Sequence, residues 1–271
     1  MNTESTHSFR SYDGTHLEGT LSRPAGPCNR LALLVHGITS SRDELGLFSG
    51  LAAYLRSQDI ASFRFDYRCH GTSSQPLQAM TLAGIVNDIE AAVHCASGLL
   101  HPTFLHPVGM SFGGGLTAYW AATTAANVQS AVFLAPVLDY QQDVLGQHEL
   151  LAGGRLADAA AEVLRSKGSL ETDGIRYGSA LINELPHING VIGLQRLRCR
   201  SLILHGDADS VVPYSQSEKL AGLNSRCTLR NVPGTDHGFG VPGDLDLTFP
   251  ETKLRHQQVF SIIGQFLLSE E

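Results

Sequence analysis

The chain alternates between continuous apolar runs and stretches whose apolar residues recur every three or four positions. The runs at 31–35, 131–135 and 202–204 contain no polar residue, which is typical of strands buried on both faces of a parallel sheet. The stretches at 47–55 and 82–93 have helical periodicity instead. Strands that alternate with helices predict an α/β fold, with a mostly parallel central sheet flanked by helices.

Two regions depart from this rhythm. Residues 7–23 contain two short extended stretches around Asp13-Gly14, a pair that favours a hairpin turn. Residues 139–197 fit neither pattern well, and loops of that length without secondary structure are uncommon in compact domains. We therefore expect an α/β core made of residues 1–138 and 198–271, with residues 139–197 inserted as a helical cap or lid.

Composition narrows the class of protein. The 271 residues are 42% hydrophobic and 17% charged, as in an ordinary globular protein, and the net charge of −7 argues against nucleic acid or an anionic membrane as the partner. No apolar run reaches the roughly 20 residues of a membrane span, and the N-terminus lacks the pattern of a signal peptide. We expect a cytoplasmic protein; a homo-oligomer is compatible with the sequence.

The cysteines and the motif content argue against bound metals and cofactors. The five cysteines are scattered and never spaced C-x-x-C, which disfavours a disulfide framework and a zinc site. No phosphate-binding loop or dinucleotide fingerprint is present. We expect no cofactor and no metal, and a small molecule as the binding partner.

The residues Gly109-Met110-Ser111-Phe112-Gly113 form a G-x-S-x-G element. An apolar stretch at 104–108 precedes it and a helical stretch at 116–122 follows it. A serine on a sharp turn between strand and helix is strained, and small neighbours make that turn possible. A chance match in a chain with 28 glycines is the alternative, so the remaining chemistry decides between the two interpretations.

A nucleophilic serine needs a base, and the base needs a carboxylate that orients it. Ser111, Asp209 and His237 each follow an expected strand, in the chain order serine, aspartate, histidine. The carboxyl ends of parallel strands meet at one edge of a sheet, where such folds bind their ligands. Asp207 is an alternative partner for the histidine, whereas Asp236 is interpreted as a loop carboxylate.

With these pieces in order, the chain resembles the α/β-hydrolase serine hydrolases. It is similar to small carboxylesterases of the cinnamoyl or feruloyl type and to single-domain relatives of the serine aminopeptidases. The resemblance covers nearly the whole chain. It rests on five segments, which are His36-Gly37, Arg68 to Ser73, Gly109 to Gly113, His205 to Pro213 and Gly234 to Phe239.

The resemblance implies a role for each residue of the site. Ser111 would attack an acyl carbonyl, His237 would transfer the proton, and Asp209 would orient His237. The backbone N–H groups of Ile38 and Phe112 would hold the oxyanion.

Other polar residues are assigned less directly. His36 and His70 are interpreted as structural groups, and Cys69 as a small buried residue. Pro107 cannot donate to a sheet ladder, so the strand before the serine either ends early or carries a bulge. Position alone suggests four candidates for substrate contact, which are Thr39, Asp139, Tyr140 and Tyr177.

The expected activity is hydrolysis of a carboxylic ester with a small or medium acyl group, including an aromatic one. The same triad also serves thioesters, lactones, amide or peptide ends and C–C bonds beside a ketone, and the fold does not choose between them. An inactive binding protein on this scaffold is a third class, which the intact triad disfavours. Dehalogenases and epoxide hydrolases of this fold need an aspartate in place of Ser111.

Overall fold

The computed structural model describes residues 3–269. Its strands, in chain order, are β1 Glu4–Arg10, β2 His16–Ser22, β3 Arg30–Val35, β4 Ala61–Asp66, β5 Phe104–Met110, β6 Ser130–Leu134, β7 Leu151–Ala152, β8 Arg155–Leu156, β9 Ser169–Thr172, β10 Ile175–Gly178, β11 Arg200–Gly206 and β12 Cys227–Val232. Its α-helices are α1 Leu47–Ser57, α2 Leu82–Leu100, α3 Ser111–Thr123, α4 Tyr140–Val144, α5 Asp158–Lys167, α6 Ser179–Glu184, α7 Gly190–Arg196, α8 Tyr214–Ala221 and α9 Pro250–Leu268. Within residues 3–269, no helix combines the length and the apolar content needed to cross a membrane.

The described residues form a central sheet of eight strands, in the order β1-β2-β4-β3-β5-β6-β11-β12. The pairs β1–β2 and β2–β4 are antiparallel, and the other five pairs are parallel. The predicted α/β fold with a mostly parallel sheet is therefore confirmed. The hairpin expected near Asp13-Gly14 is formed by β1 and β2.

Helices cover both faces of the sheet, which explains the continuous apolar runs. Helices α1 and α9 pack on one face against Leu34 and Val132. Helices α2 and α3 pack on the other face against Leu33 and Val35. A strand covered on both sides buries every side chain, and each large apolar side chain contributes about 1.5–3 kcal/mol.

Strand β5 does not end early at Pro107, and the extra residue of the irregularity lies on the β6 side rather than in β5. Strand β5 continues through it, with Pro107 opposite Leu33 of β3. On the β6 side, Leu105 pairs with Val128 and Val108 pairs with Val132. The β6 side therefore has one residue more between these two pairings. The irregularity lies in the approach to β6, where no bond to the missing proline N–H is required, and the end of β5 stays regular.

Residues 139–197 leave the sheet between β6 and β11, which are neighbours in it. The segment contains helices α4 to α7, and it also contains the hairpins β7–β8 and β9–β10, so it is not purely helical. Each hairpin turns through two residues with positive φ, Gly153-Gly154 and Asp173-Gly174. Such pairs are the usual signal of a tight hairpin, and this signal in the sequence predicts both turns.

Candidate active site

Ser111 lies between the end of β5 and the first turn of α3. Its φ is 51°, a left-handed conformation that residues other than glycine rarely adopt. Two close approaches require the flanking glycines: a Cβ on Gly109 would lie 2.4 Å from Thr117 Oγ1, and one on Gly113 would lie 2.1 Å from the His36 carbonyl oxygen. The turn therefore places Ser111 at the carboxyl edge of the sheet, against the loop that follows β3.

His237 and Asp209 reach the same edge from the loops after β12 and β11. His237 Nδ1 lies 2.8 Å from Asp209 Oδ2, the aspartate side chain is fully buried, and the histidine side chain is 20% exposed. The other oxygen of Asp209 accepts the N–H groups of Val211 and Val212. Since Nδ1 is held by the carboxylate, the opposite ring nitrogen of His237, Nε2, is the one available for proton transfer.

The carboxylate of Asp209 is kept ionised by its partners. Burial raises its pKa, but hydrogen bonds from His205 and His237 outweigh burial and lower the pKa below its usual value. An ionised, fixed carboxylate can orient a neutral imidazole and stabilise the imidazolium formed when the histidine takes a proton. The pair His237 and Asp209 thus has the electrostatics of a general base and the carboxylate that orients it.

The alternative carboxylates are engaged elsewhere. Asp207 accepts hydrogen bonds from the Asn231 side chain and the Gly234 N–H. Asp236 accepts the backbone N–H groups of Ser210 and His237. Between Asp207 and Asp209, it is Asp209 that contacts the imidazole.

His205 is a member of this network that the sequence reasoning missed. It is fully buried, its Nε2 lies 3.1 Å from Asp209 Oδ2 and 2.9 Å from the Val212 carbonyl, and its Nδ1 lies 2.7 Å from Ser217 Oγ. With Nε2 protonated, His205 donates to Asp209 from the side opposite His237. The signal was present, since His205-Gly206 opens the motif that contains Asp209.

The loop after β3 is held at both backbone groups of Gly37, its N–H and its carbonyl. The Gly37 N–H donates to Glu44 Oε2 at 2.6 Å, and the Gly37 carbonyl accepts from Tyr67 Oη at 3.0 Å and from His36 Nδ1 at 2.7 Å. The ring of His36 stacks on that of Tyr67 with centroids 3.9 Å apart. Burial, together with the charge of His70, lowers the pKa of His36 to about 3, so this histidine is neutral.

The N–H of Ile38 belongs to the same peptide unit as the Gly37 carbonyl, which is held by Tyr67 and His36. Phe112 lies in the first turn of α3. A helix leaves its first N–H groups without partners in the helix, which makes the N–H of Phe112 available to an oxyanion. Ile38 and Ser111 both line one cavity. Among residues 3–269, no hydrogen bond joins Ser111 Oγ to His237, and such bonds are often long before substrate binds.

That cavity, called the serine cavity here, has a volume of about 160 Å³. Its core side is apolar and consists of Ile38, Phe112, Val137, Val211 and Val212 beside Ser111. Its other side comes from the 139–197 segment and consists of Asp143, Val144, Gln147, Asp173, Ile175 and Tyr177.

Asp143 is the most distinctive group of the serine cavity, and the sequence reasoning did not single it out. Its Oδ1 accepts hydrogen bonds from Gln147 and Gln216, both at 2.8 Å. Its Oδ2 is buried and has no partner among the described residues. Burial raises the pKa of Asp143 to about 6, although the hydrogen bond from Gln216 opposes that shift. A buried acceptor without a donor is costly, so this oxygen is suited to a donor on a bound molecule.

The four predicted substrate contacts occupy different places. Tyr177 lines the serine cavity. Tyr140 is fully buried behind the oxyanion segment, where its hydroxyl donates to the Phe112 carbonyl and its ring lies 4.6 Å from that of Phe112. Asp139 caps α4 by accepting the N–H of Gln142, and Thr39 is exposed beside the loop. Tyr140, Asp139 and Thr39 are not among the residues that line the cavity.

A second depression, called the histidine cleft here, lies beside His237 and has a volume of about 200 Å³. Its lining contains Glu44, Leu45, Ser210, Val211, Asp236, His237, Asp244, Leu245 and Leu247. Val211 is shared with the serine cavity. Burial raises the pKa of Glu44, against the hydrogen bond from the Gly37 N–H. Within the described residues, no cluster of three or more His, Cys, Asp or Glu side chains could hold a metal ion.

Solved structures with this architecture define the class of protein. Est1E from Butyrivibrio proteoclasticus, solved with ferulic acid bound, has a TM-score of 0.74 at 22% identity and aligns over 94% of this chain and 99% of its own. Mouse alpha/beta hydrolase domain-containing protein 10 has a TM-score of 0.74 at 18% identity, over 97% and 99% of the two chains. The fold is therefore that of the α/β hydrolases.

Sequence comparison identifies the family within that class. Residues 27–180 match the family model described as serine aminopeptidase, S33. The chain belongs to this family of α/β hydrolases, and it is a hydrolase. The uncharacterized protein YfhR of Salmonella typhi is 28% identical over 246 residues, which are 84% of this chain and 73% of that relative.

Proposed function

We propose that the protein is a serine hydrolase that cleaves carboxylic esters of small or medium acyl groups. The observation that carries the proposal is the 2.8 Å hydrogen bond between His237 Nδ1 and the buried Asp209, at the sheet edge where Ser111 occupies a strained turn. The esterase fold neighbours support it as well. Ser111 is the nucleophile, His237 the general base and acid, and Asp209 the orienting carboxylate.

The reaction proceeds in two balanced halves. His237 takes the Ser111 hydroxyl proton while Oγ bonds to the acyl carbon, and it then gives that proton to the leaving alcohol as the C–O bond breaks. Water reverses the sequence on the acyl-enzyme, releasing the acid and restoring Ser111. The N–H groups of Ile38 and Phe112 stabilise the oxyanion in both halves, and one such donor is worth about 3–4 kcal/mol.

The shape of the serine cavity favours an acyl group with an apolar body and a hydroxyl at its far end. Valine and isoleucine side chains line the cavity together with Ser111 and Asp143, and the buried Asp143 Oδ2, which has no partner among the described residues, is the proposed acceptor for that hydroxyl. Est1E was solved with ferulic acid, an aromatic acid that carries a phenolic hydroxyl. A hydroxylated aryl acyl group is the corresponding proposal for this chain.

Removal of an N-terminal amino acid is a second candidate. The family description names aminopeptidases, and the carboxylates of Asp143 and Asp173 in the serine cavity could bind an ammonium group. Aminoacyl p-nitroanilides distinguish the two candidates, because the ester hydrolase is expected to cleave p-nitrophenyl esters far faster than these amides.

Hydrolysis of p-nitrophenyl esters from acetyl to decanoyl tests the proposal, with the Ser111→Ala variant beside the native protein. Loss of the nucleophile in a triad lowers kcat by about 10⁶-fold, so the variant is expected to be inactive. Labelling of the native protein by a fluorophosphonate, absent in Ser111→Ala, is the control for a reactive serine. Labelling without hydrolysis of any ester would exclude these esters and favour the amide candidate; no labelling would exclude a serine hydrolase.

A further inference from the structure

The histidine cleft is lined by His237, whereas the serine cavity is lined by Ser111. His237 Nε2 must protonate the leaving group, so the leaving group has to lie at the exposed edge of His237. The histidine cleft is the depression at that edge. Among the described residues, Val211 is the one that lines both this cleft and the serine cavity, where the acyl group is proposed to bind.

The rim of the histidine cleft is unusually apolar. Leu45, Val211 and Leu245 are 60%, 61% and 84% exposed, and they are three of the ten large apolar side chains that are exposed within residues 3–269. All three surround one histidine. Grouped exposed apolar side chains mark a surface that a ligand covers, whereas single ones need no explanation.

The chain maintains backbone strain to build this rim. Glu44 and Leu45 both have positive φ, 44° and 50°, and Gly46 continues the left-handed turn at 89°. Residues other than glycine rarely adopt this conformation, because their Cβ approaches the backbone too closely. The turn directs the Glu44 carboxylate inward to the Gly37 N–H and leaves Leu45 at the surface. Strain of this kind persists where the local geometry has a function.

The charge of the cleft is negative. The carboxyl groups of Glu44, Asp236 and Asp244 line it, and its lining within the described residues includes no lysine or arginine. Burial raises the pKa of Glu44, so the two aspartates contribute most of this charge. Asp236 and Asp244 accept backbone N–H groups, which stabilises their ionised forms. An anionic leaving group would therefore meet like charge at the atom that has to protonate it.

From this geometry we infer that the histidine cleft is the leaving-group site, that it binds an uncharged alkyl or aryl alcohol larger than methanol, and that it rejects anionic leaving groups. The inference rests on the proposed ester hydrolysis and deepens it. It also separates this chain from a hydrolase of thioesters whose thiol carries phosphates.

Three esters of one acid test the inference: methyl acetate, benzyl acetate and acetylglycolate, whose leaving group carries a carboxylate. The ratio kcat/KM reports every step through departure of the alcohol, so it contains the interactions of the leaving group. We expect benzyl acetate to exceed methyl acetate about tenfold, the effect of about 1.4 kcal/mol of apolar contact. We expect acetylglycolate to fall below methyl acetate, with a difference that shrinks as salt is added.

Substitutions of rim residues test whether the rim causes the preference for benzyl acetate over methyl acetate. Leu45→Asn keeps a residue that tolerates positive φ, and Leu245→Gln replaces the most exposed leucine of the rim; each should lower the ratio of benzyl to methyl activity about threefold. Leu254, which is 60% exposed on α9 away from both cavities, gives the matched control Leu254→Gln, with no expected change in either activity. Glu44→Gln should raise the relative activity on acetylglycolate.

Three results would contradict the inference, and they differ in what else they exclude. Equal kcat/KM for methyl and benzyl acetate, with Ser111-dependent hydrolysis of both, would exclude the leaving-group site and leave the ester hydrolase standing. Absence of hydrolysis and of fluorophosphonate labelling would exclude both. Preference for acetylglycolate over methyl acetate would reverse the proposed charge selection.

Discussion

The serine cavity and the histidine cleft share Val211, yet they are built from different segments and differ in the residues that line them. Half of the residues that line the serine cavity come from the 139–197 segment, among them Asp143, whose Oδ2 is buried and has no partner among the described residues. Among the described residues, no residue of that segment lines the histidine cleft, where the exposed side chains of Leu45 and Leu245 lie beside the carboxyl groups of Glu44, Asp236 and Asp244.

This difference corresponds to the different fates of the acyl group and the alcohol of an ester. The acyl group stays bound through both halves of the proposed reaction, so directional hydrogen bonds to it serve both steps. The alcohol leaves after the first half, and an apolar surface without fixed hydrogen bonds lets it depart. The comparison therefore suggests that selectivity lies mostly on the acyl side. Four predictions test how far the two sides are independent.

The largest effect should come from the element that both sides share. Asp209→Asn removes the charge that orients His237, and in comparable triads this change lowers kcat about 10⁴-fold. The loss should be equal for esters that differ only in acyl group or only in alcohol. Asp207→Asn is the matched control, because Asp207 accepts hydrogen bonds from Asn231 in β12 and from Gly234 in the turn after it and does not contact His237; its activity should stay within about twofold of native.

The next effect concerns the turn that carries Ser111. In Gly113→Ala the new Cβ would lie 2.1 Å from the His36 carbonyl oxygen, so α3 has to move away from β3. We expect a loss of about 1–3 kcal/mol of stability, measured by urea unfolding, and a lower kcat on every ester. The control is Gly98→Ala in α2, where a Cβ meets nothing within 4 Å and stability should rise by up to about 1 kcal/mol. A Gly113→Ala protein as stable and active as the native one would contradict the close approach.

A third change should affect the acyl side alone. The pKa of Asp143 is raised to about 6 by burial, so the carboxylate is ionised and a stronger acceptor above that pH. The ratio of kcat/KM for a hydroxylated over an unsubstituted aryl ester should rise as the pH rises through about 6, and dividing the two rates cancels the titration of groups common to both.

Asp143→Asn should abolish that pH dependence and lower the ratio about tenfold at neutral pH, because hydrogen bonds to charged groups contribute about 1.5–3 kcal/mol. The ratio of benzyl to methyl acetate should not change. A flat ratio in the native protein would show that Asp143 does not contact the acyl group.

The smallest effect is expected from a change at Tyr140, which contacts Phe112 and does not line the serine cavity. Tyr140→Phe removes the hydroxyl that donates to the Phe112 carbonyl and should cost about 1 kcal/mol of stability. Since Tyr140 does not line the serine cavity, KM for short esters should change by less than about twofold. A large rise in KM without loss of stability would restore Tyr140 as a substrate contact.

Much of the fold could be predicted because its signals are local. The run Leu31 to Val35 is apolar at every position, as burial on both faces requires. Thr81 caps α2 by accepting the Gly84 N–H. The hairpins of the 139–197 segment are different, since their strands are short and weakly patterned, and their turn residues were the only strong signal.

The candidate site divides in the same way. Ser111, Asp209 and His237 stand in motifs whose glycines and prolines encode the backbone around them, so their positions could be predicted one segment at a time. Asp143 and Glu44 stand in no such motif, and in the sequence they resemble ordinary solvated charges. Nothing near Asp143 indicates that a distant glutamine, Gln216, approaches it.

The sequence by itself determined the order of strands and helices outside residues 139–197, the sharp turn at Ser111, and Ser111 and His237 as residues proposed for catalysis, because each depends on neighbours along the chain. The tertiary structure decided which carboxylate contacts His237, how the 139–197 segment roofs the serine cavity, and which charges and leucines surround each side of the site. Those features depend on contacts between segments far apart in the chain, where burial and the loss of solvent change what a side chain can do.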